Sequence, residues 1–335
     1  MAAVCALFCL RNSLLRLHFL FLVCYPGSLY TETNRKVKEL DMKKIMLAVL
    51  LAALVFSLTS CASIKKEEKE MTYVEKTVYI DSTRGDYKIA AVLTVPETDG
   101  SVPLVAILHG FAGDKNENVG FTYVARALAK AGIASIRMDF AGSGEDTRSF
   151  LEYTLDSAAG DVKDSLEYAL LNANIDSEKV GIFGYSNGGK IATMINATED
   201  IYKCRVLLAP AATGDDESDK ANIVACGDRG YIEMPWYGRN LQVSREYYES
   251  VVNYCEHFDE YEDVEIPTLI IHGTEDTTVP SSVVDPFAEH TGADLLKICG
   301  ADHGYGFYSD DEAGFDIMDR VATATVAFFT REFSK

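Results

Sequence analysis

A chain of 335 residues with 48% hydrophobic content and only 8 prolines can bury one large core, which excludes a disordered or collagen-like polymer. Its formal net charge of −20 repels phosphate backbones and anionic headgroups, so nucleic acid is not an expected partner. The sequence shows no internal repeat, CxxC pair, His-rich tract or HExxH stretch, and no metal site is expected.

In chain order, the first organised segment begins at Met42. MKKIMLAVLLAALVFSLTSCAS has a basic start, an apolar stretch short for a membrane span, and small residues before Cys61. This is the pattern of a secretory signal over residues 42–61, and Leu58-Thr59-Ser60-Cys61 resembles a bacterial lipobox. The resemblance implies lipidation of Cys61 and an exported protein anchored at the cell surface or the periplasmic face of a membrane. A transmembrane helix with an incidental cysteine is the alternative. Residues 1–41 precede a complete signal and carry their own apolar run, Leu17 to Cys24, so they are expected to be an extension outside the native protein, with Met42 as the start. Residues 62–72 form a charged tether. Residues 1–61 hold 7 of the 31 Lys and Arg and 3 of the 51 Asp and Glu, which leaves −24 on the exported part.

From residue 73 to 335 apolar runs alternate with helical patterns. Expected strands are Tyr73–Ile80, Tyr87–Val95, Leu104–Leu108, Ala134–Met138, Val180–Tyr185, Arg205–Leu208, Thr268–Ile271 and Leu295–Cys299. The first two are joined by an Asp-, Arg- and Gly-rich turn and should form an antiparallel hairpin. Expected helices are Thr122–Ala131, Ala158–Asn172, Gly188–Ala197, Ser282–Thr291 and Glu312–Phe333. Continuous apolar strands separated by helices imply an α/β fold: a mostly parallel sheet covered on both faces. Residues 211–265 break the rhythm with an acidic stretch (GDDESD), an aromatic one (GYIEMPWYGR) and a weakly helical one, without a strand-helix-strand return. An insertion of that size is expected to be a functional cap. Cys204 and Cys299 lie in apolar runs and should be buried, whereas Cys226 and Cys255 lie in a polar segment where a disulfide is possible.

The motif that carries chemistry is Gly184-Tyr185-Ser186-Asn187-Gly188-Gly189, placed where the strand KVGIFGY turns into the helix NGGKIATMINA. That is the setting of a nucleophile elbow, whose small neighbours let the chain bend sharply under an exposed serine. A serine hydroxyl needs a base to take its proton, and the base needs a carboxylate to fix it. Downstream come LIIHGTEDTTVP with Asp276 and KICGADHGYGF with His303, each in a loop after a strand. Serine, aspartate, histidine is the α/β-hydrolase order. Glu275 stands one residue early and Asp302 is too close in sequence to reach round to the His303 ring. His272 and His109 end strands and should bond locally, while His290 and His257 read as surface residues. The main-chain N–H groups of Asn187 and of Phe111, in the turn AILHGFAGDKNE, are the expected oxyanion donors. No cofactor is needed for this chemistry.

With HGFAGDKNE, RMDFAGSGED, GYSNGG, LLAPAAT, HGTEDTTVP and GADHGY in this order, residues 73–335 resemble the α/β-hydrolase superfamily over almost their whole length. More narrowly they resemble the bacterial cinnamoyl and feruloyl esterases, through the HGF turn, the phrase LAPAAT after the sixth strand and a cap inserted there. That resemblance implies a cap closing over an aromatic acyl group, with an aspartate shortly after LAPAAT accepting from its phenolic hydroxyl. Asp215 is the nearest match, at a spacing shorter by a couple of residues. The family commonly has Gln where this chain has Asn187.

The leading expectation is therefore a surface-anchored serine esterase acting on hydroxycinnamoyl or related esters of carbohydrates. A peptidase or general acyl hydrolase of the same fold is the enzyme rival, and GDDESD could receive a peptide's amine. A non-catalytic lipoprotein binding module would have lost a member of the triad, and none is missing. Tyr231, Trp236 and Tyr237 in the cap are candidates either for acyl contact or for packing the cap onto the body.

Overall fold

The computed structural model describes residues 71–335. The signal segment, Cys61 and most of the tether lie outside the described residues. Among the described residues no helix is long and apolar enough to cross a membrane.

The chain runs through β1 (Tyr73–Asp81), β2 (Lys88–Pro96), β3 (Val102–Leu108), α1 (Gly120–Lys130), β4 (Ala134–Met138), α2 (Leu155–Asn172), β5 (Ile175–Tyr185), α3 (Asn187–Thr198) and β6 (Tyr202–Leu208). The cap follows, with α4 (Glu217–Cys226), β7 (Tyr231–Trp236), β8 (Arg239–Ser244), α5 (Arg245–Glu256) and α6 (Phe258–Glu262). Then come β9 (Thr268–Gly273), α7 (Ser281–Thr291), β10 (Asp294–Ile298) and α8 (Glu312–Phe333).

Eight strands form one sheet in the order β1-β2-β4-β3-β5-β6-β9-β10. β1 pairs antiparallel with β2 and β2 with β4, and every other neighbouring pair is parallel. This is the α/β-hydrolase fold. Along β3, Leu104, Ala106 and Leu108 face one side with Val162 of α2 and Ile191 of α3, whereas Val105 and Ile107 face the other with Phe121 and Val124 of α1 and Phe329 of α8. Both sets are apolar because both faces are covered, which is why the strand reads as a continuous run. Full burial of each such side chain contributes about 1.5–3 kcal/mol. The parallel strands thereby present all their carboxyl ends at one rim.

Three features depart from the sequence reading. The cap contains the hairpin β7–β8, with Tyr231 opposite Ser244 and Trp236 opposite Arg239. Its two-residue turn is Tyr237-Gly238, with φ of 43° and 78°, the doubly left-handed geometry of a tight hairpin. Tyrosine is an unusual occupant of such a turn, and Pro235 interrupts the strand pattern, so neither signal registers in the sequence. Cys226 and Cys255 are free thiols: Cys226 is buried at the end of α4, and Cys255 Sγ instead donates to the carbonyls of Thr213 and Asp215. Cys299 is exposed, because β10 is the edge strand and the residue lies just beyond its end.

Candidate active site

Ser186 sits between β5 and α3 with φ 53° and ψ −117°, a backbone strain that a non-glycine residue bears only where its surroundings impose it. The surroundings are backbone on every side. A Cβ on Gly184 would lie 2.4 Å from Gly188 O, one on Gly188 2.4 Å from Leu108 O, and one on Gly189 2.9 Å from Pro210 Cα. Ser186 N–H donates to Leu208 O (2.9 Å) and Ser186 O accepts from Ala211 N–H (3.1 Å). The glycines therefore serve close packing of α3 against the sheet, and the serine is held at the turn as a result.

Three loops at the sheet's carboxyl rim bring Ser186, His303 and Asp276 together. His303 Nε2 lies 3.0 Å from Ser186 Oγ, and its Nδ1 lies 2.8 Å from Asp276 Oδ2. Asp276 Oδ1 accepts from the N–H groups of Thr278 (3.0 Å) and Val279 (2.9 Å). Burial pushes the Asp276 carboxyl up, but the hydrogen bonds from His303, Val279 and Thr278 outweigh it and hold the group below the ordinary carboxylate range. An ionised Asp276 fixes the proton on His303 Nδ1, which leaves the Nε2 lone pair facing the serine hydroxyl. Tyr185 steadies the loop by donating to His303 O (2.6 Å).

The rival groups are engaged elsewhere. Asp302 accepts from Gly304 N–H (2.9 Å), and Glu275 is exposed. His272 Nε2 bonds Val279 O, His257 Nδ1 bonds Asn253 O, and His290 pairs with Asp263 at the surface.

His109 shapes the opposite wall. It is fully buried, and its Nε2 accepts from Phe140 N–H (3.1 Å), so the ring's proton is on Nδ1 and donates to Gly110 O (2.7 Å). Because the peptide is planar and trans, a Gly110 carbonyl turned to the imidazole turns the Phe111 N–H the other way. That peptide runs beside Ser186, since a Cβ on Gly110 would stand 3.4 Å from Ser186 Cβ. Asn187 opens α3, where a first-turn N–H has no partner inside its own helix. Its side chain turns away to donate to Tyr153 OH (2.8 Å).

Sequence reasoning missed Glu117, Tyr153 and Tyr247. Glu117 is buried, with φ 41°, and accepts from Gly110 N–H (2.9 Å) and from the Tyr308 hydroxyl. Next to it Asn118 Nδ2 donates to Phe307 O (2.8 Å). The turn that presents Phe111 is thus latched to the loop that presents His303. Burial pushes the Glu117 carboxyl up despite the opposing pull of His109, Tyr308 and Gly110 N–H. Its only sequence signal was that it is one of two acids inside HGFAGDKNE.

The Phe111 ring is surrounded by aromatic rings: Phe150 at 5.3 Å, Trp236 at 5.3 Å, Tyr247 at 5.2 Å and Tyr153 at 6.0 Å between centroids. Arg239, at the tip of the hairpin, reaches Ala112 O (3.5 Å) and Gly142 O (3.3 Å). Of the cap candidates, Trp236 belongs to this cluster and Tyr237, 91% exposed, stands edge-on to it from outside. Tyr231 lies at the other end of the hairpin, about 16 Å away at 3.3 Å per residue, beside Arg229. Asp215 is exposed, and its Oδ1 accepts from Glu217 N–H (3.2 Å). Among the described residues no group of three or more His, Cys, Asp or Glu side chains is placed to hold a metal ion.

A profile described as the prolyl oligopeptidase family matches residues 119–308, more than half of the chain and a span that includes Ser186, Asp276 and His303. The chain belongs to the prolyl oligopeptidase family. Among solved structures, this family member is similar to Est1E from Butyrivibrio proteoclasticus with ferulic acid bound, at 26% identity and a TM-score of 0.61, covering 77% of this chain and 100% of that one. DcsB in complex with its substrate analogue shares the fold at 16% identity and a TM-score of 0.64, with 77% of this chain and 100% of that one covered. Curated relatives match shorter stretches. An uncharacterized 31.7 kDa protein of Escherichia coli is 29% identical over 144 residues, 41% of this chain and 50% of its own length. The inactive dipeptidyl peptidase 10 of Rattus norvegicus is 29% identical over 189 residues, 55% of this chain and 21% of its own length. The chain thus spans half or less of the curated relatives it matches.

Proposed function

We propose that this serine hydrolase cleaves carboxylic esters with an aromatic, hydroxycinnamoyl-type acyl group, through an acyl-enzyme on Ser186. The observation that carries the reading is the ring cluster over the oxyanion turn: Phe111, whose N–H is one expected donor, is walled by Phe150, Tyr153, Trp236 and Tyr247. An acyl group whose carbonyl oxygen meets that N–H would lie close to the Phe111 side chain and the rings that pack around it. The ferulic acid bound to Est1E supports the same acyl class. Ser186 Oγ attacks the carbonyl carbon while His303 Nε2 takes its proton, and Asp276 stabilises the resulting imidazolium. The main-chain N–H groups of Phe111 and Asn187 hold the oxyanion. His303 then returns the proton to the leaving alcohol, and water releases the acid by the same steps in reverse.

A second reading, hydrolysis of peptide bonds, is favoured by the family match itself. The domain organisation completes the proposal: a signal ending at Cys61, lipidation there, a tether over 62–72 and a catalytic domain over 73–335 with its cap at 211–265. A serine-directed fluorophosphonate followed by peptide mass spectrometry tests the nucleophile, and a panel of hydroxycinnamoyl esters, short alkyl esters and proline-containing peptide amides tests the substrate. Label on Ser186, loss of about a thousandfold or more in kcat for Ser186→Ala, and preference for the aromatic esters are expected. Label on another residue, or preference for the amides, would overturn the reading at the corresponding level.

A further inference from the structure

Beneath the cap two basic side chains are buried without an ion pair. Arg205 on β6 is fully buried. Its Nε donates to Thr268 Oγ1 (2.8 Å), whose own proton goes to Ile266 O, and its Nη1 and Nη2 have no partner in the protein. Lys190 on α3 is buried too, with Nζ 5.2 Å from the centroid of the Tyr254 ring. Neither makes an ion pair with an acidic side chain among the described residues. A guanidinium is too strong a base to escape this by shedding its proton: burial lowers Arg205 only to about 10.

The neighbouring polar groups do not neutralise it. Burial holds the Tyr254 phenol well above its ordinary range, so it stays protonated. That proton is already committed. Thr193 Oγ1 donates to Lys190 O (2.7 Å), so in its contact with Tyr254 OH (2.9 Å) the tyrosine must be the donor. One helical turn beyond Thr193, on the same face of α3, stands Asn196, buried and with both amide atoms unpartnered. Phe287 closes another side, its ring 6.0 Å from the guanidinium carbon.

A buried charge without a partner is costly, and a pair of unpartnered guanidinium N–H donors is the recognition chemistry of an anion. We propose that Arg205 Nη1 and Nη2, with Asn196 Nδ2 as a further donor, bind a small monovalent inorganic anion of the halide class between β6, α3 and the cap helix α5. Full burial selects for low charge, because a multivalent anion would surrender more hydration than these donors return, and for small size, because the fully enclosed guanidinium leaves little room beside it. The bound ion would tie the cap to the body without taking part in ester cleavage.

The test is thermal unfolding of the full chain, exchanged into gluconate and titrated with sodium bromide at constant ionic strength. A ligand that binds the folded state alone raises Tm by mass action, so a saturable rise of a few degrees is expected, with an anomalous bromide peak beside Arg205 in crystals grown from that buffer. Arg205→Met should abolish the rise, and Asn196→Leu should move its midpoint to higher bromide, which preserves the test if the arginine variant fails to fold. A Tm indifferent to bromide, an undiminished response in a folded Arg205→Met, or a bromide map with no peak at Arg205 would each overturn the proposal. Activity of Ser186 does not enter the readout, so failure here leaves the esterase reading untouched.

Discussion

The rim of the sheet around Ser186 and the cap above it are held by opposite means. At the rim backbone packs on backbone, and polar groups are saturated: Asp276 takes three hydrogen bonds, Glu117 two, and both nitrogens of His109 are used. In the cap, rings meet rings, the hairpin turn at Gly238 stands in open space, and the buried Tyr248 hydroxyl lacks a partner. Backbone contacts tolerate no change of volume, whereas ring contacts exchange one apolar neighbour for another at modest cost. The proposed chemistry therefore lies where position is over-determined, and the proposed selectivity where it is not.

A pair of glycine substitutions breaks this contrast most sharply. In Gly188→Ala the new methyl would meet Leu108 O at 2.4 Å and His109 O at 2.6 Å, so either α3 or the turn after β3 must move. A displacement of that order at the reacting groups costs about a hundredfold in kcat. Gly238→Ala meets nothing within 4 Å and carries only the strain of φ 78°, so about 1–3 kcal/mol of stability should be lost with kcat unchanged. Steady-state kinetics and urea unfolding of both variants provide the check. Equal effects on kcat would erase the distinction between rim and cap.

The next effect is smaller and belongs to Glu117. Glu117→Ala leaves the buried Gly110 N–H unpartnered and unlatches Tyr308, so kcat should fall about ten- to a hundredfold with little change in KM. Glu117→Gln keeps an acceptor for Gly110 and a donor for Tyr308 and should retain most activity. Its stability carries a sign that a merely space-filling role would not give. The folded carboxyl lies above its unfolded value of about 4.3, so the native state binds the extra proton, and stability declines as pH rises from the unfolded to the folded pKa and is flat above it. Glutamine removes that decline. Denaturant unfolding of the two proteins across this window should show the variant gaining on the native chain as pH rises, and parallel curves would contradict the assignment.

The same contrast explains what could be read in the sequence. Every strand of the large sheet and every helix flanking it corresponds to an apolar run or an amphipathic pattern, because burial on both faces of the inner strands and on one face of each helix writes itself into composition; α8 coincides with the expected Glu312–Phe333. Ser186, Asp276 and His303 were legible because each follows a strand and their order fits one topology. Glu117 was not, since its role depends on Tyr308, 191 residues away in the chain. The hairpin was hidden by Pro235 and by a tyrosine in a left-handed turn. Asp215 was chosen as the nearest match to an aspartate that the esterase resemblance implies, and the fold leaves it at the surface.

The smallest effects concern the cap's hold on the acyl group. Trp236 meets the Phe111 ring edge-on at 5.3 Å, so it can touch an aromatic group lying there. Such a contact contributes about 0.5–1.5 kcal/mol beyond area, and Trp236→Ala should lower kcat/KM for hydroxycinnamoyl esters by up to about tenfold relative to short alkyl esters. Tyr237 meets Trp236 edge-on from outside the cluster and should change that ratio less. Asp215→Asn should alter it by less than about twofold, because an exposed carboxylate already satisfied by a neighbouring N–H has little to offer a buried hydroxyl. Competition assays with paired esters measure the ratio directly, free of errors in enzyme concentration. If Asp215→Asn shifted it more than Trp236→Ala, the acyl group would have to extend to the start of α4 instead of ending among the rings, and the cap would grip its substrate through polar contacts after all.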